Sequence, residues 1–224
     1  MTETPLYGGR VTEGVVRLGD TVRRPRRPNS DFVRALLDHL ASVGFRGAPR
    51  FLGSDESGRD ALSFLPGDVP SDLSPGYPDE TLAAAARLIR RFHDATAGTG
   101  LAADSEVVCH NDLSPCNFVF RGADPVGLID YDAAAPGSRL RDVAYALFLW
   151  LNLGADGPDV REQARRARVF LDAYGAQDRE DVVEAVLDVQ REGLGRVEPA
   201  AVEWWAAQIE WTEAHRRELE RGLR

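Results

Sequence analysis

The sequence predicts an α+β fold of two lobes, a small β-rich lobe followed by a larger helical lobe that contains a β-hairpin. Three observations support this prediction. Residues 1–66 alternate short apolar runs with turn residues. Residues 66–78 contain four prolines, which is typical of a hinge or linker. Beyond residue 80, apolar residues recur at helical spacing. The predicted domains are therefore 1–66, a hinge at 67–80, and 81–224.

In the first lobe, the runs VVRL and TVRR flank Gly19-Asp20, a pair that favours a hairpin turn. A helix is predicted to begin at Asn29 or Ser30 and to end at Gly44, because the apolar residues between them lie on one helical face. The segments PRFLG and DALSFLPG predict two further strands. Helix, turn and strand patterns therefore alternate throughout this lobe.

In the second lobe, apolar stripes predict helices within 81–96, 140–151, 160–174 and 199–220. A β-hairpin interrupts them: EVVCH leads into a polar loop, FVF begins a strand, RGADP turns, and VGLID returns. No apolar run approaches the roughly 20 residues of a membrane helix. The N-terminus lacks the basic-then-apolar order of a signal peptide, and two cysteines are too few for a disulfide scaffold. We therefore expect a cytoplasmic protein with no membrane partner.

The net charge of -9 is unevenly distributed. Residues 1–50 hold nine Arg against five acidic residues, so the remainder carries -13. This asymmetry favours an anion at one end and a cationic or polyhydroxylated small molecule at the other, and it argues against a nucleic-acid partner. Ordinary solvated faces are the alternative explanation.

All 27 basic residues are Arg, and the chain has no Lys. The absence of Lys excludes a Walker-type phosphate loop and a Schiff-base lysine. No G-x-G-x-x-G follows a predicted strand, so a dinucleotide-binding fold has no support.

The predicted hairpin brings three polar residues, Asp112, Asn117 and Asp130, to one edge of the lobe. Asp112 has no basic neighbour in sequence and can accept a proton. Asn117 and Asp130 offer the hard oxygen ligands that suit Mg²⁺. A base, an amide five residues later and a carboxylate thirteen after that is a layout used for phosphoryl transfer. Helix caps and turns are the alternative interpretation of each residue taken alone.

The segment HNDLSPCN matches the H-x-D-x-x-x-x-N catalytic loop of protein-kinase-like phosphotransferases. The segments IDYD and RDVAY, in that order, resemble those of the aminoglycoside phosphotransferase and choline kinase families. The resemblance implies a protein-kinase-like fold and Mg²⁺-dependent transfer of the γ-phosphate of ATP or GTP to a hydroxyl of a small molecule. Some short relatives are named toxin immunity proteins, so a catalytically weak binding protein in immunity or regulation is the alternative.

Carried over to this chain, the resemblance implies roles for five residues in and around the loop. Asp112 becomes the catalytic base, while Asn117 and Asp130 become the Mg²⁺ ligands. His110 becomes a structural residue of the loop. Asp142 becomes the residue that holds the loop by hydrogen bonds.

The resemblance also implies a nucleotide site. Phe64 and Leu65, within SFLPG, lie where a hinge backbone meets adenine. Gly8 and Gly9 belong to a shortened loop over the phosphates. Asp132 is expected near the mouth of the site, without a fixed role.

The sequence departs from the family at the phosphate-binding cation. These kinases carry a Lys on the third strand and a Glu on the following helix, and neither is evident here. Arg23 is the predicted substitute for the Lys, with its side chain facing the cleft and that of Arg24 facing away, because strand side chains alternate. Arg binds phosphate in a planar, bidentate manner, so the exchange is not neutral.

Overall fold

An antiparallel sheet forms the small lobe. The computed structural model describes residues 2–6, 14–71 and 76–224. The strands follow the order β1-β2-β3-β5-β4 across the sheet. Their bounds are β1 Thr4–Pro5, β2 Val16–Leu18, β3 Thr21–Arg24, β4 Phe51–Ser54 and β5 Asp60–Ser63.

The hairpin between β2 and β3 turns where the sequence predicts it. Leu18 pairs with Thr21, and Gly19 between them has a φ of 61°, a conformation that glycine adopts without strain. Helix α1, Ser30–Ser42, crosses from β3 to β4 and buries one apolar face. Gly44, with a φ of 77°, follows its end.

The large lobe is a bundle of five helices around an apolar core. They are α2 Asp79–Thr96, α3 Arg139–Leu151, α4 Val160–Tyr174, α5 Val182–Leu194 and α6 Val202–Leu223. Four of these lie where the sequence predicts helices, whereas α5 was not assigned from sequence. Phe92, Leu147 and Phe170 are fully buried in the core. None of the helices in the described ranges has the length and apolar character needed to cross a membrane.

Four short strands of the large lobe position the polar loop. They are β6 Val107–Cys109, β7 Phe118–Arg121, β8 Asp124–Leu128 and β9 Ala135–Gly137. The predicted hairpin is the antiparallel pair β7–β8. The pair β6–β9 was not predicted: it joins the segment before the loop to the segment that leads into α3. The loop is therefore held by two strand pairs.

The chain leaving the sheet docks onto the large lobe immediately. The Asp68 amide donates to the carbonyl of Phe120 at 2.9 Å, and the Phe120 amide donates to the carbonyl of Asp68 at 2.7 Å. Gly67 has a φ of 151°, and a Cβ there would collide with the carbonyl of Phe120. Only glycine fits this approach, so the beginning of the predicted hinge is anchored to β7.

Candidate active site

The polar loop between β6 and β7 is fixed by the buried carboxylate of Asp142. Its Oδ2 accepts from the backbone amide of His110 at 2.8 Å, and its Oδ1 accepts from that of Asn111 at 2.8 Å. His93 Nε2 lies 2.9 Å from the same Oδ2. Burial alone disfavours the charged carboxylate, but the His93 contact and the backbone amides outweigh it and hold the pKa of Asp142 below its usual value. Asp142 therefore occupies the loop-holding position implied by the family pattern.

His110 ties the loop to the returning strand of the hairpin. Its ring is fully buried, and Nε2 lies 3.0 Å from the carbonyl of Ile129, the residue before Asp130. The ring also packs against Tyr131, with centroids 4.7 Å apart. These contacts agree with a structural part for His110.

Asp112 projects from this loop and is partly exposed. Tyr145, from α3, donates its hydroxyl to Asp112 Oδ1 at 3.0 Å. The backbone carbonyl of Asp112 accepts from Asn117 Nδ2 at 2.9 Å. The carboxylate is thus oriented by one hydroxyl, and its peptide by one amide.

Asn117 and Asp130 both line the cleft, because the backbone of Asn117 pairs with that of Ile129, the residue before Asp130. The Ile129 amide donates to the carbonyl of Asn117 at 2.9 Å, which places the next residue, Asp130, near the Asn117 side chain. Since Nδ2 of Asn117 is used by Asp112, its amide oxygen Oδ1 is the atom left to act as a ligand. Asp130 has a left-handed backbone with φ 63° and ψ 63°, an uncommon conformation that often marks functional sites.

The pKa of Asp130 is raised. Its burial is the main cause, and the like charges of Asp132 and Asp112 add to it, whereas Arg24 opposes the shift. The positive charge of Arg24 therefore offsets only part of the combined effect of burial and the neighbouring carboxylates on this pKa.

The predicted orientation of the two arginines of β3 is wrong. The Arg23 side chain lies on the outer side, with Nε 3.8 Å from Asp55 Oδ2. The Arg24 side chain is 9% exposed and enters the cleft, with Nη2 3.6 Å from Asp130 Oδ1 and in closer contact with Asp132 Oδ1. Arg24 shares its face with Val22, two residues earlier, and both line the cleft.

Helix α1 contributes a different contact to the site. Asn29, at the start of the helix, does not cap it with its side chain but donates Nδ2 to the carbonyls of Asp132 and Ala134, at 3.1 and 2.9 Å. The acidic Asp31 pairs with Arg26 and Arg34. The first turn of α1 therefore holds the segment after Asp130 through an amide.

A cleft of about 340 Å³ lies between the lobes and ends at these polar residues. Phe64 and Leu65, which are predicted to meet the adenine, line one side of the cleft. Arg24, Asn117 and Asp130 line its polar end. Apolar side chains form much of the remaining wall: Leu6, Val15, Val22, Leu62, Val69, Val119 and Ile129. The predicted Gly8 and Gly9 lie outside the described residues. The described part of the chain has no group of three His, Cys, Asp or Glu side chains arranged to hold a metal.

The two lobes, with the polar loop and hairpin facing the cleft between them, form a protein-kinase-like fold. A family model described as "Phosphotransferase enzyme family" matches residues 99–184, which include the whole loop and hairpin. The trifolitoxin immunity protein of Rhizobium leguminosarum bv. trifolii is 32% identical, and the match covers 96% of each chain. The chain belongs to the phosphotransferase enzyme family.

Solved structures share the fold at low sequence identity. A spectinomycin phosphotransferase, APH(9)-Ia, solved with ADP and spectinomycin, has a TM-score of 0.64 at 11% identity, covering 100% of this chain and 88% of that one. A microcompartment-associated aminopropanol kinase has a TM-score of 0.63 at 12% identity, covering 94% and 90%. At these identities the likeness shows the fold alone.

Several residues of the site had no role assigned from sequence. Asn29, His93 and Tyr145 each make a hydrogen bond to the loop, to Asp142 or to the segment after Asp130. Tyr145 lies three residues after Asp142, one helical turn along α3, so it shares the face that meets the loop. That spacing was the available signal for Tyr145.

Proposed function

We propose that this protein transfers the γ-phosphate of ATP or GTP to a hydroxyl of a small molecule. The observation that supports this best is the arrangement at the open end of the β7–β8 hairpin, opposite its turn. The pairing of Ile129 with Asn117 brings Asn117 and Asp130 together at the polar end of the cleft, and Asn117 is bonded to Asp112. A base and two oxygen ligands thus adjoin a cavity that can hold a nucleotide.

The donor set fits Mg²⁺. Asn117 Oδ1 and the Asp130 carboxylate are hard oxygen ligands, and Mg²⁺ uses few protein ligands because phosphates and water complete its shell. Burial is the main cause of the raised pKa of Asp130 and the nearby carboxylates add to it, so a bound cation would favour its charged form. Bound there, Mg²⁺ would neutralise charge on the nucleotide phosphates.

In this proposal the protein's own groups orient the acceptor and the phosphates. Asp112 accepts a hydrogen bond and then the proton from the attacking hydroxyl, and Tyr145 fixes the rotamer of its carboxylate. Arg24 donates to the phosphates in place of the missing Lys. Asp142 keeps the backbone of the loop rigid, so Asp112 is positioned before the acceptor binds.

The adenine or guanine ring of the nucleotide would occupy the apolar part of the cleft. Phe64 and Leu65 carry the backbone that leaves β5, and Val22 and Ile129 line the same cavity. These groups provide apolar surface for a planar ring, with the hinge backbone beside it. The acceptor would approach Asp112 from the large lobe.

The alternative function is binding without efficient transfer, in toxin or antibiotic immunity. Two observations favour it: the relative that is 32% identical is named as an immunity protein, and the chain has no Lys for the phosphates. In this alternative, the cleft holds a nucleotide or a toxin-like ligand, and binding alone provides protection.

One experiment separates the two functions. Radiolabelled ATP and GTP are incubated with the protein, Mg²⁺ and a panel of aminoglycosides, amino alcohols and sugars, with Asp130→Ala as the matched variant. Labelled acceptor from wild type, with Mg²⁺-dependent nucleotide binding lost in the variant, supports transfer. Nucleotide binding without transfer to any acceptor supports the immunity function, and equal Mg²⁺ dependence in both proteins contradicts the ligand assignment.

A further inference from the structure

Arg24 is a buried cation held between two carboxylates of the opposite lobe. We propose that Asp132 is its positioning partner: Asp132 holds the Arg24 guanidinium at the phosphate end of the cleft, and this ion pair replaces the pair that a helix-borne acid would provide. The inference rests on the proposed function, because it concerns how the nucleotide phosphates are gripped.

Burial is the first argument. The Arg24 side chain is 9% exposed, and a charged group this buried requires a close counter-ion. Asp130 lies 3.6 Å away, whereas Asp132 is in direct contact. Asp130 is also the proposed metal ligand, so only Asp132 can serve Arg24 throughout the reaction.

The orientation of the guanidinium is the second argument. Arg24 Nη2 touches Asp132, yet it has no aligned hydrogen-bond acceptor among the described residues. The contact is therefore mainly Coulombic. It fixes the place of the charge and leaves N–H groups of the guanidinium to donate to an incoming phosphate, which accepts the planar fork well.

Asp132 is itself held in place, which a positioning residue requires. Its backbone carbonyl accepts from Asn29 Nδ2 at 3.1 Å, and the same amide donates to Ala134 at 2.9 Å. Strand β3 and the start of α1 thus meet the same short segment of the large lobe. The position of Arg24 is set by both contacts together.

Helix α1 does not supply the counter-ion. Its residues are all described, and neither of its acids pairs with Arg24. Asp31 has a 79% exposed side chain and pairs with Arg26 and Arg34. Asp31 is therefore a matched control, because it is also an Asp in an arginine ion pair within the small lobe.

A different role for Asp132, as an additional metal ligand, makes an opposite prediction. A metal ligand affects nucleotide binding only when Mg²⁺ is present. A partner of Arg24 affects it equally without metal, since the guanidinium meets the phosphates directly. Binding in the presence of a chelator therefore separates the two roles.

The test is binding of a fluorescent N-methylanthraniloyl ADP to the full chain, in Mg²⁺ and in EDTA. The proteins are wild type, Asp132→Asn, Asp132→Glu, Arg24→Ala, the double variant Arg24→Ala/Asp132→Asn, and Asp31→Asn. We expect Asp132→Asn to raise Kd about 10-fold in both conditions, as for loss of one contact to a charged group. The double variant should bind within about twofold of Arg24→Ala, because the two residues act as a unit.

Asp132→Glu, which keeps a carboxylate, should recover part of the affinity, and Asp31→Asn should bind as wild type does. The melting temperature of each variant is measured in parallel. A folded Asp132→Asn with unchanged Kd, a loss confined to Mg²⁺, or additive effects in the double variant would overturn the positioning role alone. A folded wild type that binds neither this ADP analogue nor its GDP counterpart in either condition overturns the proposed function, and this inference with it.

Discussion

The two sides of the cleft are built differently. On the large-lobe side, the loop is held by several internal hydrogen bonds. Asp142 accepts hydrogen bonds from two backbone amides and contacts His93. The ring of His110 contacts the carbonyl of Ile129. On the small-lobe side, one arginine reaches the polar end of the cleft, and its contacts lie in the other lobe. The proposed base and metal ligands thus lie within one lobe, whereas the proposed phosphate contact of Arg24 depends on how the two lobes meet.

Loss of the proposed catalytic base, Asp112, should have the largest effect on turnover. We expect Asp112→Asn to lower turnover by about 10²- to 10⁴-fold, or roughly 3–5 kcal/mol of barrier, because the variant cannot accept the proton. Nucleotide affinity should stay within about twofold, because Asp112 faces the acceptor. Steady-state kinetics with a confirmed acceptor, beside a nucleotide titration, measure both. The exposed Asp104→Asn is the control, and an Asp112→Asn variant with a tenth of wild-type turnover is incompatible with this role.

Loss of Asp142 should damage the rigid side through stability. Asp142→Asn should lower the free energy of unfolding by about 3 kcal/mol at neutral pH, since it removes a buried charge that accepts several hydrogen bonds. Chemical denaturation measures the difference. Asp188→Asn, an exposed ion-pair acid on α5, should cost less than about 1 kcal/mol.

The pH dependence of this difference has a defined sign. Because the folded-state pKa of Asp142 is lowered from its ordinary value of 3.8, its contribution is fully present above that value. It is lost as the pH falls through the lower, folded-state pKa. The gap between wild type and Asp142→Asn should therefore be constant above about pH 5 and shrink in stronger acid. A gap that widens in acid contradicts the charged state of Asp142.

The two arginines of β3 sharpen the comparison from the other side. Arg24→Ala should weaken nucleotide binding by about 1.5–3 kcal/mol, the range for a hydrogen bond to a charged group. Arg23→Ala should cost less than about 1 kcal/mol, because Arg23 pairs with Asp55 on the outer side. Calorimetric titration with ADP measures both. The reverse ranking would mean that the side chain of Arg23, and not that of Arg24, faces the phosphates.

The smallest effect should come from Tyr145. Tyr145→Phe removes the hydroxyl that donates to Asp112 at 3.0 Å, so we expect about a fivefold loss of turnover, near 1 kcal/mol. Michaelis constants for nucleotide and acceptor should hardly change. A change confined to the nucleotide's Michaelis constant would instead connect Tyr145 with the phosphate side.

The predictability of the site followed the same division. The sequence predicts that Asp112, Asn117 and Asp130 lie close together, and the structure brings them together because a loop and a tight hairpin fix their spacing locally. The direction of the Arg24 side chain was predicted wrongly, because the sequence does not show which face of β3 meets the cleft. The apolar Val22 was the usable signal, since residue 24 must share its face.

Long-range contacts account for the remaining differences in the fold. The β6–β9 pair joins two three-residue segments 25 residues or more apart, and such short strands carry no alternation long enough to recognise. The side-chain bond from Asn29 to Asp132 spans 103 residues. The sequence pattern predicts Asn29 or Ser30 as the helix cap, but tertiary contact gives the side-chain amide of Asn29 a different partner.

The anchoring of the chain at residue 68 has a mechanical consequence. Hydrogen bonds attach the small lobe to the large one at several places: Asp68 pairs with Phe120, the Leu128 amide donates to the carbonyl of Gly47, His39 contacts the carbonyl of Ala95, and Asn29 meets Asp132 and Ala134. These attachments lie near α1, β4 and β5, so a swing of the sheet would pivot on that side of the small lobe. Strands β1 and β2 lie farthest from β4 across the sheet and would travel most in such a swing. Entry and exit of a nucleotide would then be a tilt of that outer edge, with Arg24 displaced far less.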